Sequence, residues 1–295
     1  MTIVQLEYLL AVANYGSFSQ AAEKCYVTQP SLSMQVKNLE EELGVILLDR
    51  SKKPVIPTEA GQVVLAQARE AISAFRRVKE SVNDLKGEVS GVLRLGAIPT
   101  IAPYLLHRFI PDFMRRYPKV ELQIREMMTS EIIQALNRDR LDAAILAGGT
   151  SPGEIVEEEL FDDRFYAYVS TTHPLFERSN IRIEDIDLRH LLLLSEVNCL
   201  RDQVIELCQA QRKISVPYSF ESGSLETLMR LVDNTSSMTI IPEMVIDFIP
   251  KEKHAQIKTL AKGATSRKIT IAVRRTYVKR SLIAALKESI ISAAK

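Results

Sequence analysis

The sequence predicts an α/β protein in which a helical N-terminal domain, a long linker helix and a larger two-subdomain α/β domain follow one another. Three observations lead to this prediction. Short amphipathic helical patterns open the chain, and an apolar repeat of roughly 3.5 residues follows them. Apolar strand-like segments then alternate with amphipathic helical segments through the remainder.

The composition is that of a globular chain long enough for more than one hydrophobic core. Of its 295 residues, 46% are hydrophobic and 25% are charged, and the net charge of +1 gives no indication of a nucleic-acid partner. The chain opens without a basic segment followed by a long apolar run, so we expect no signal peptide, no membrane span and a cytoplasmic location. Three cysteines in such a chain indicate reduced thiols, among which a disulfide would be transient.

Three helices are predicted in the N-terminal segment, and the second and third form a helix-turn-helix pattern. The first, "VQLEYLLAVANYG", carries leucines at helical spacing, and Ser17 or Ser19 caps the short helix in "SFSQAAEKC". After the turn at "YV", Thr28 or Gln29 caps a third helix that has Pro30 in its first turn. A short helix, a tight turn and a helix with a polar outer face are typical of DNA-binding domains.

The outer face of the third helix is the predicted DNA-contacting surface. Its small and amide side chains suit base edges and thymine methyl groups in a major groove. The tip of the following hairpin, "LLDRSKKPVIPT", suits contact with phosphates. The alternative is three helices that only pack together, because residues 1–60 hold five Lys and Arg against seven Asp and Glu. The order of the elements nevertheless favours double-stranded DNA as the partner. The predicted contacts are Gln29, Pro30, Ser31, Ser33, Met34, Lys37, Arg50, Lys52 and Lys53.

A long helix follows, and its apolar repeat predicts dimerisation. Thr58 is the expected cap, with Glu59 in the first turn. Apolar residues recur alternately four and three residues apart, which is the period of a coiled-coil seam. The seam residues are Val64, Ala68, Ala71, Phe75, Val78, Val82 and Leu85. We therefore expect a DNA-binding domain at 1–58, a linker helix that pairs two copies of the chain at 59–88, and a further domain at 91–295.

The N-terminal segment resembles a known family. "LEYLLAVANYGSFSQAAEKCYVTQPSLSMQVKNLEEELGVILLDR" is similar to the DNA-binding domain of the LysR-type transcriptional regulators, and the linker helix fits the same family. The resemblance spans the whole chain. It implies a winged helix-turn-helix, a dimerising linker helix and an effector domain that resembles periplasmic binding proteins. It also implies a homodimer that assembles into a homotetramer on operator DNA and acts with RNA polymerase.

The C-terminal domain is predicted to contain a mostly parallel sheet with a ligand cleft. The strands "GVLRLGAI", "KVELQIREM" and "DAAILAG" alternate with helices, and a second subdomain begins near "FYAYVS" and returns near "RKITIAVRR". Subdomain I is expected at about 91–163 and 267–295, and subdomain II at about 164–266. Thr100 and Thr129 follow two of the strands, where ligands bind, although either residue is also suited to capping a helix.

One predicted helix carries two cysteines, Cys199 and Cys208, in "NCLRDQVIELC". In an intact helix their Cα atoms lie about 13.5 Å apart on opposite faces. A disulfide needs about 7 Å or less, so a bond between them requires the helix to melt. Zinc binding is disfavoured, and Cys208 alone fits a small core residue. The predicted cap Asn198 and the neighbouring Arg201 favour a reactive Cys199 thiolate, which Asp202 opposes unless it orients Arg201.

The motifs "AIPT", "CLRDQ" and "SLETL" are similar to those of the peroxide-sensing members of the family. That resemblance implies Cys199 as the peroxidatic thiol and Cys208 as the resolving thiol, with glutaredoxin or thioredoxin as the reductant. We expect no cofactor and no metal. Asn198 departs from the family pattern, which has histidine there, because asparagine donates a hydrogen bond but carries no charge. The residues implied around the peroxide are Thr100, Thr129, Asn198, Arg201, Asp202 and Arg267.

The predicted function is redox-sensing control of transcription, and not enzymatic catalysis. Hydrogen peroxide would oxidise Cys199, and a reversible disulfide with Cys208 would change operator binding at oxidative-stress genes. A LysR-type regulator that binds a small organic effector without a thiol switch is the alternative. A thiol peroxidase and a solute-binding protein are disfavoured by the DNA-binding domain. Cys25, within the helix-turn-helix, is expected to pack in the core.

Overall fold

The structure, a computed structural model, describes residues 1–85, 88–149, 153–208, 224–261, 266–277 and 279–294. These residues belong to two units, Met1–Lys86 and Gly87–Lys295, and each unit has its own buried apolar cluster. No helix in the described ranges combines the length and apolar character needed to cross a membrane.

Three short helices build the first unit, and local capping signals fix where each begins. They are α1 (Ile3–Tyr15), α2 (Phe18–Lys24) and α3 (Gln29–Leu43). The Ser17 side chain accepts a hydrogen bond from the N–H of Gln20, and the Thr28 side chain accepts one from the N–H of Ser31. These are the predicted caps, so the alternatives Ser19 and Gln29 are wrong. The leucines and valines that face inward on α1 and α3 form the core of this unit.

A small antiparallel hairpin and a long helix complete the first unit. The hairpin pairs β1 (Leu48–Asp49) with β2 (Ile56–Pro57), and α4 (Glu59–Leu85) follows at once. Thr58 caps α4 as predicted, because its Oγ1 accepts the N–H of Gly61 at 2.9 Å.

The predicted seam of α4 is partly used within the unit itself. Ala68 is buried in the core of the unit with Leu65 and Ile72, whereas Phe75 and Val78 are exposed. The prediction placed Ala68 in a seam between two chains, because an apolar stripe in the sequence does not reveal which surface covers it. From Ala71 onward the described seam residues are exposed and available to another surface.

The first subdomain of the second unit alternates strands and helices as predicted. Strands β4, β3 and β5 are parallel neighbours in that order, and β10 closes this side antiparallel to β5. The helices α5 and α9 pack against each other beside this sheet. These elements are β3 (Gly91–Ala97), α5 (Ala102–Arg116), β4 (Val120–Glu126), α6 (Thr129–Asn137), β5 (Ala143–Ala147), β10 (Ser266–Arg274) and α9 (Arg280–Ala293).

The second subdomain is connected to the first by the long strand β6 (Ile155–Val169). The first half of β6 pairs with β10, and its second half pairs with β8 and β9. The boundary predicted near 163 falls inside β6, which enters both halves, and the boundary predicted near 267 falls at the start of β10, which pairs with β5 and with the first half of β6. The remaining elements are β7 (Asn180–Arg182), α7 (Cys199–Leu207), α8 (Leu225–Asp233), β8 (Met238–Pro242) and β9 (Ile257–Ala261).

The prediction of a mostly parallel sheet is wrong. Among the strands that the structure describes in this unit, four of the seven pairings are antiparallel. The reason is that β6 and β10, which carry the chain between subdomains, run opposite to their neighbours. Side chains also join the two halves: Tyr104 of α5 hydrogen-bonds to Glu226 of α8, and Arg108 pairs with Asp247 at 2.8 Å.

Candidate functional site

The helix that carries the two cysteines forms where the sequence predicts it. Asn198 occupies the N-cap position, and its Oδ1 accepts the N–H of Leu200 at 3.0 Å. The N–H of Cys208 still donates to the carbonyl of Val204 at 3.0 Å, so the hydrogen-bonded turns extend to the second cysteine. Asn198 is only 3% exposed, and within the described ranges its Nδ2 donor has no hydrogen-bond partner.

Both thiols of α7 are free and half-buried against the core of the second unit. They occupy the two ends of an intact helix, which separates their Cα atoms by about 13.5 Å. Burial raises the pKa of the Cys208 thiol to about 11, so Cys208 is protonated at neutral pH. Cys25 packs on the core of the first unit, as expected, and its thiol pKa is also raised, by burial and by the charge of Glu7.

The Arg201 side chain points away from Asp202, the next residue of α7. Its Nη1 donates to the carbonyl of Leu194 at 3.2 Å, and its Nη2 lies 3.8 Å from a carboxylate oxygen of Glu196. The pairing with Asp202 considered from the sequence is wrong, because consecutive helical residues project about 100° apart. Asp202 is exposed. Arg201 therefore fastens the start of α7 to the segment that precedes it.

Thr100 and Arg267, which are far apart in sequence, meet in the interior of the second unit. Arg267 Nη1 donates to Thr100 Oγ1 at 3.0 Å, and Nη2 donates to the Thr100 carbonyl at 3.0 Å. Thr100 is not the cap of α5, since Ile101 occupies that position. Because Thr100 Oγ1 accepts from Arg267, its own hydroxyl hydrogen points elsewhere and is available as a donor.

Asp163, a residue that sequence reasoning missed, completes this network. Its Oδ2 accepts from Arg267 Nε at 3.0 Å and lies 3.0 Å from Nη2, while its Oδ1 accepts the N–H of Met244 at 3.2 Å. Burial raises the pKa of the Asp163 carboxyl, and the Arg267 charge opposes that rise. One available signal was alternation, because Asp163, Phe165 and Ala167 share the buried face of β6.

Thr129 does not join the Thr100 network through any hydrogen bond in the described part of the chain. It is the first residue of α6 and is half-buried, and Met128 occupies the cap position. The Met128 N–H donates to the Glu131 side chain at 3.0 Å, which fixes the start of α6. Thr129 is therefore placed at the end of a parallel strand, as predicted, and it is not the cap.

A cavity brings Arg267 and α7 to the same space. Its volume is ≈ 640 Å³, which suits a small ligand. Arg267 lies in its wall but exposes only 1% of its side chain, because Asp163 and Thr100 hold the guanidinium inward. The described lining residues are Gly148, Gly149, Glu157, Glu159, Phe165, Gln203, Glu206, Leu207, Ser266, Arg267, Lys268 and Thr270.

The outer face of α3 is exposed in the first unit. Gln29, Pro30, Ser31, Met34 and Lys37 are exposed and Ser33 is half-buried, while Leu32, Val36 and Leu39 face the core. Lys37 lies 3.3 Å from Glu41 one turn later, an exposed pair that water screens. The residues predicted to contact DNA therefore lie on the exposed side of α3.

The hairpin contributes two unequal kinds of cation. Lys52 and Lys53 are exposed at its tip. Arg50 pairs with Glu40 at 2.8 Å and lies over the ring of Phe18, 4.9 Å from its centroid. Arg50 therefore braces the hairpin against α2 and α3, a structural role that the sequence did not indicate.

Sequence comparison agrees with this architecture. Residues 3–62 match the bacterial regulatory helix-turn-helix proteins of the lysR family, and residues 86–295 match the LysR substrate binding domain. The chain belongs to the LysR family. This LysR-type chain is accordingly a DNA-binding transcription regulator, and its second unit is the effector domain of the family.

Several relatives and solved structures are similar over most of the chain. The hydrogen peroxide-inducible genes activator of Dickeya chrysanthemi is 36% identical over 86% of this chain and 82% of its own. The DNA-binding transcriptional dual regulator OxyR of Escherichia coli K12 is 35% identical over 83% of this chain and 80% of its own. Full-length OxyR of Pseudomonas aeruginosa, in a cysteine-to-aspartate variant, superposes with a TM-score of 0.79 at 32% identity, covering 98% and 94% of the two chains. A peroxide-bound cysteine-to-serine mutant of Corynebacterium glutamicum OxyR gives 0.67 at 27%, covering 99% and 92%.

Proposed function

We propose that this LysR-type regulator senses hydrogen peroxide through Cys199 and changes its operator contacts when Cys199 forms a disulfide with Cys208. The observation that carries the proposal is the placement of the two thiols at opposite ends of one capped helix. The 35–36% identity to hydrogen peroxide-inducible genes activators supports it. The reaction needs no metal or other cofactor.

The chemistry has two balanced steps. The Cys199 thiolate attacks one peroxide oxygen, an S–O bond forms, the O–O bond breaks, and hydroxide leaves and is protonated to water. The thiolate of Cys208 then attacks the sulfenic sulfur, so that an S–S bond forms and the oxygen leaves as water. The second step requires α7 to melt, since its intact geometry keeps the Cα atoms too far apart for a disulfide.

We assign the stabilisation of the leaving oxygen to two hydrogen-bond donors. Thr100 has an available hydroxyl hydrogen because its oxygen accepts from Arg267. Asn198 has a buried Nδ2 donor at the start of α7. Thr129, Arg201 and Asp202 are further proposed members of the site, with Arg201 acting by fastening the start of α7 and not through Asp202.

The readout is a change in how the DNA-binding units meet an operator. We assign base contacts to the exposed face of α3, with Gln29, Pro30, Ser31, Ser33, Met34 and Lys37, and phosphate contacts to Lys52 and Lys53. Arg50 supports the hairpin and reaches phosphate only by leaving Glu40. The exposed Ala71, Phe75 and Val78 support a seam between two copies on α4. Two such homodimers would form the homotetramer, and the geometry of that assembly would set the spacing between the operator half-sites.

The remaining partners follow from this assignment. The regulator would act on RNA polymerase at oxidative-stress promoters, and glutaredoxin or thioredoxin would reduce the disulfide by thiol exchange. The cytoplasm, where thiols are kept reduced, is the compartment that suits such a switch.

The deciding experiment follows the thiols directly. Reduced full-length protein is treated with one equivalent of hydrogen peroxide, quenched over seconds, and digested without reductant for peptide mapping. We expect a rapid cross-link between Cys199 and Cys208 that is absent in Cys199→Ser and unaffected in Cys25→Ser. Slow oxidation spread equally over all three cysteines would overturn the proposal and direct attention to an organic effector in the cavity.

A further inference from the structure

The positive charge of Arg267 is already matched inside the protein. Asp163 contacts both Nε and Nη2 of the guanidinium at 3.0 Å, and both side chains are almost fully buried, at 2% and 1% exposure. One carboxylate oxygen, Asp163 Oδ2, receives both contacts, so the Nε–Nη2 edge with which arginine otherwise binds a carboxylate ligand is already covered. The fork that would recognise an anion is therefore occupied by a residue of the chain.

Few donors remain on Arg267 for anything else. A guanidinium has five N–H groups. Nε donates to Asp163, and one N–H of Nη1 donates to Thr100 Oγ1. Nη2 donates to the Thr100 carbonyl and also lies 3.0 Å from Asp163 Oδ2 and 3.8 Å from the Met244 sulfur. A single N–H of Nη1 is left by this count, which suits one hydrogen bond to a small ligand but not a two-point contact.

The charged residues that line the cavity also disfavour a carboxylate ligand. Lys268, the other cation in its wall, pairs with Glu159. The remaining carboxylates, Glu157 and Glu206, repel anions. With Arg267 matched by Asp163, an uncharged molecule enters at no electrostatic cost, whereas a carboxylate meets only acids and paired cations.

We infer that Asp163 determines ligand specificity: by holding Arg267 in a closed ion pair, it excludes small carboxylates from the cavity and leaves it open to uncharged ligands such as hydrogen peroxide. The choice of peroxide as the natural ligand rests on the function proposed above. Asp163 is a positioning residue, since it acts through Arg267 and Thr100. If Asp163 only supported the fold, its replacement would change stability and leave ligand specificity unchanged.

Replacement of Asp163 by asparagine separates the two roles. The amide keeps the size of the side chain but leaves Arg267 as a buried charge without a counter-ion. The unpaired guanidinium should therefore bind an anion that enters the cavity. Because a hydrogen bond to a charged group is stronger than a neutral one, acetate affinity should rise about tenfold to a hundredfold. The Arg267→Gln change in the same chain should abolish the gain.

The experiment measures acetate and formate binding to the full-length protein. Melting temperature is recorded against anion concentration for wild type, Asp163→Asn and Asp163→Asn/Arg267→Gln, with sodium chloride at matched ionic strength as the control. We expect anion-dependent stabilisation in the single variant only. A folded Asp163→Asn protein whose melting temperature does not rise with either anion would overturn the inference. This readout needs no peroxide, so it holds or fails independently of the proposed thiol chemistry.

The wild-type protein provides a second arm in case Asp163→Asn does not fold. Oxidation of Cys199 by peroxide is timed with and without acetate at constant ionic strength, and repeated in Arg267→Gln. We expect no effect of acetate on the wild-type rate. Competitive inhibition in wild type that disappears in Arg267→Gln would show that Arg267 is open to anions, and the inference would be wrong.

Discussion

Loosening α7 without touching either cysteine should accelerate disulfide formation. If Cys208 reaches the Cys199 sulfenic acid only after α7 melts, the rate of that step follows the population of the opened helix. Val204 is the residue to change, because it lies between the two thiols, is 2% exposed, and packs into the core of the effector domain.

The size of the effect follows from the side chain that is lost. Val204→Ala removes two buried carbons at about 0.8 kcal/mol each, and the cavity left behind adds a smaller cost, for about 2 kcal/mol in all. Alanine is the better helix former by roughly 0.5 kcal/mol, which offsets part of this loss. The net value of about 1.5 kcal/mol corresponds to a roughly tenfold larger opened population.

The assay separates the two oxidation steps. Protein is mixed with excess peroxide, quenched with acid at intervals, and analysed by mass spectrometry for the sulfenic acid of Cys199 and for the Cys199–Cys208 disulfide. We expect Val204→Ala to form sulfenic acid at close to the wild-type rate and to convert it to disulfide roughly tenfold faster.

A matched substitution distinguishes local from global loosening. Val232 lies in α8 of the same domain and is fully buried, so Val232→Ala has the same chemistry and the same gain in helix propensity. It should leave the disulfide step unchanged. Equal acceleration by Val232→Ala, or none by Val204→Ala, would refute the idea that local melting of α7 controls the step.

Three further outcomes follow from the described structure. Gly61→Ala should abolish operator binding in a mobility-shift assay while Cys199 still oxidises, because the new Cβ overlaps the carbonyl of Leu47; Gly44→Ala, which meets open space, should cost only about 1 kcal/mol of backbone strain. Tyr168→Phe should lower the unfolding free energy in urea by about 1 kcal/mol, since it leaves the half-buried carboxylate of Asp233 short of one donor. Burial raises the pKa of the Cys208 thiol from 9.0 to about 11, so the buried thiol stabilises the folded state fully below pH 9.0, and this contribution is lost as the pH rises toward 11. Alkylation of Cys208 should therefore rise steeply across that interval.

The features predicted well are those that short sequence stretches encode by themselves. Ser17, Thr28, Thr58 and Asn198 each cap the helix that follows them. A cap depends on contacts between residues two or three positions apart, so nothing in the tertiary structure is needed to recognise it. The helix-turn-helix and the helix of the two cysteines were predictable for this reason.

The features that were missed depend on which distant surface a residue meets. Asp163 lies in the acidic run "EEELFDDRF", which resembles a solvated strand edge. A register shift in the pairing of β6 with β10 skips Leu160, and strict alternation fails there, because Leu160 is buried while Glu159 is exposed. Counting back from Phe165 places Asp163 inside. Ala68 shows the same limit, because its apolar stripe fits its own domain as well as another chain.

The two ends of α7 give the proposed reaction its order. While the helix is intact, Cys208 is held protonated by burial and lies about 13.5 Å from its partner, so it neither reacts with peroxide nor bonds to Cys199. Melting removes both restraints at once, because exposure returns the thiol pKa toward its ordinary value and the flexible segment lets the sulfurs meet. One conformational event therefore activates and delivers the resolving thiol. A Cys208 that was ionised within the intact helix would be open to direct oxidation by peroxide, and the order of the two steps would be lost.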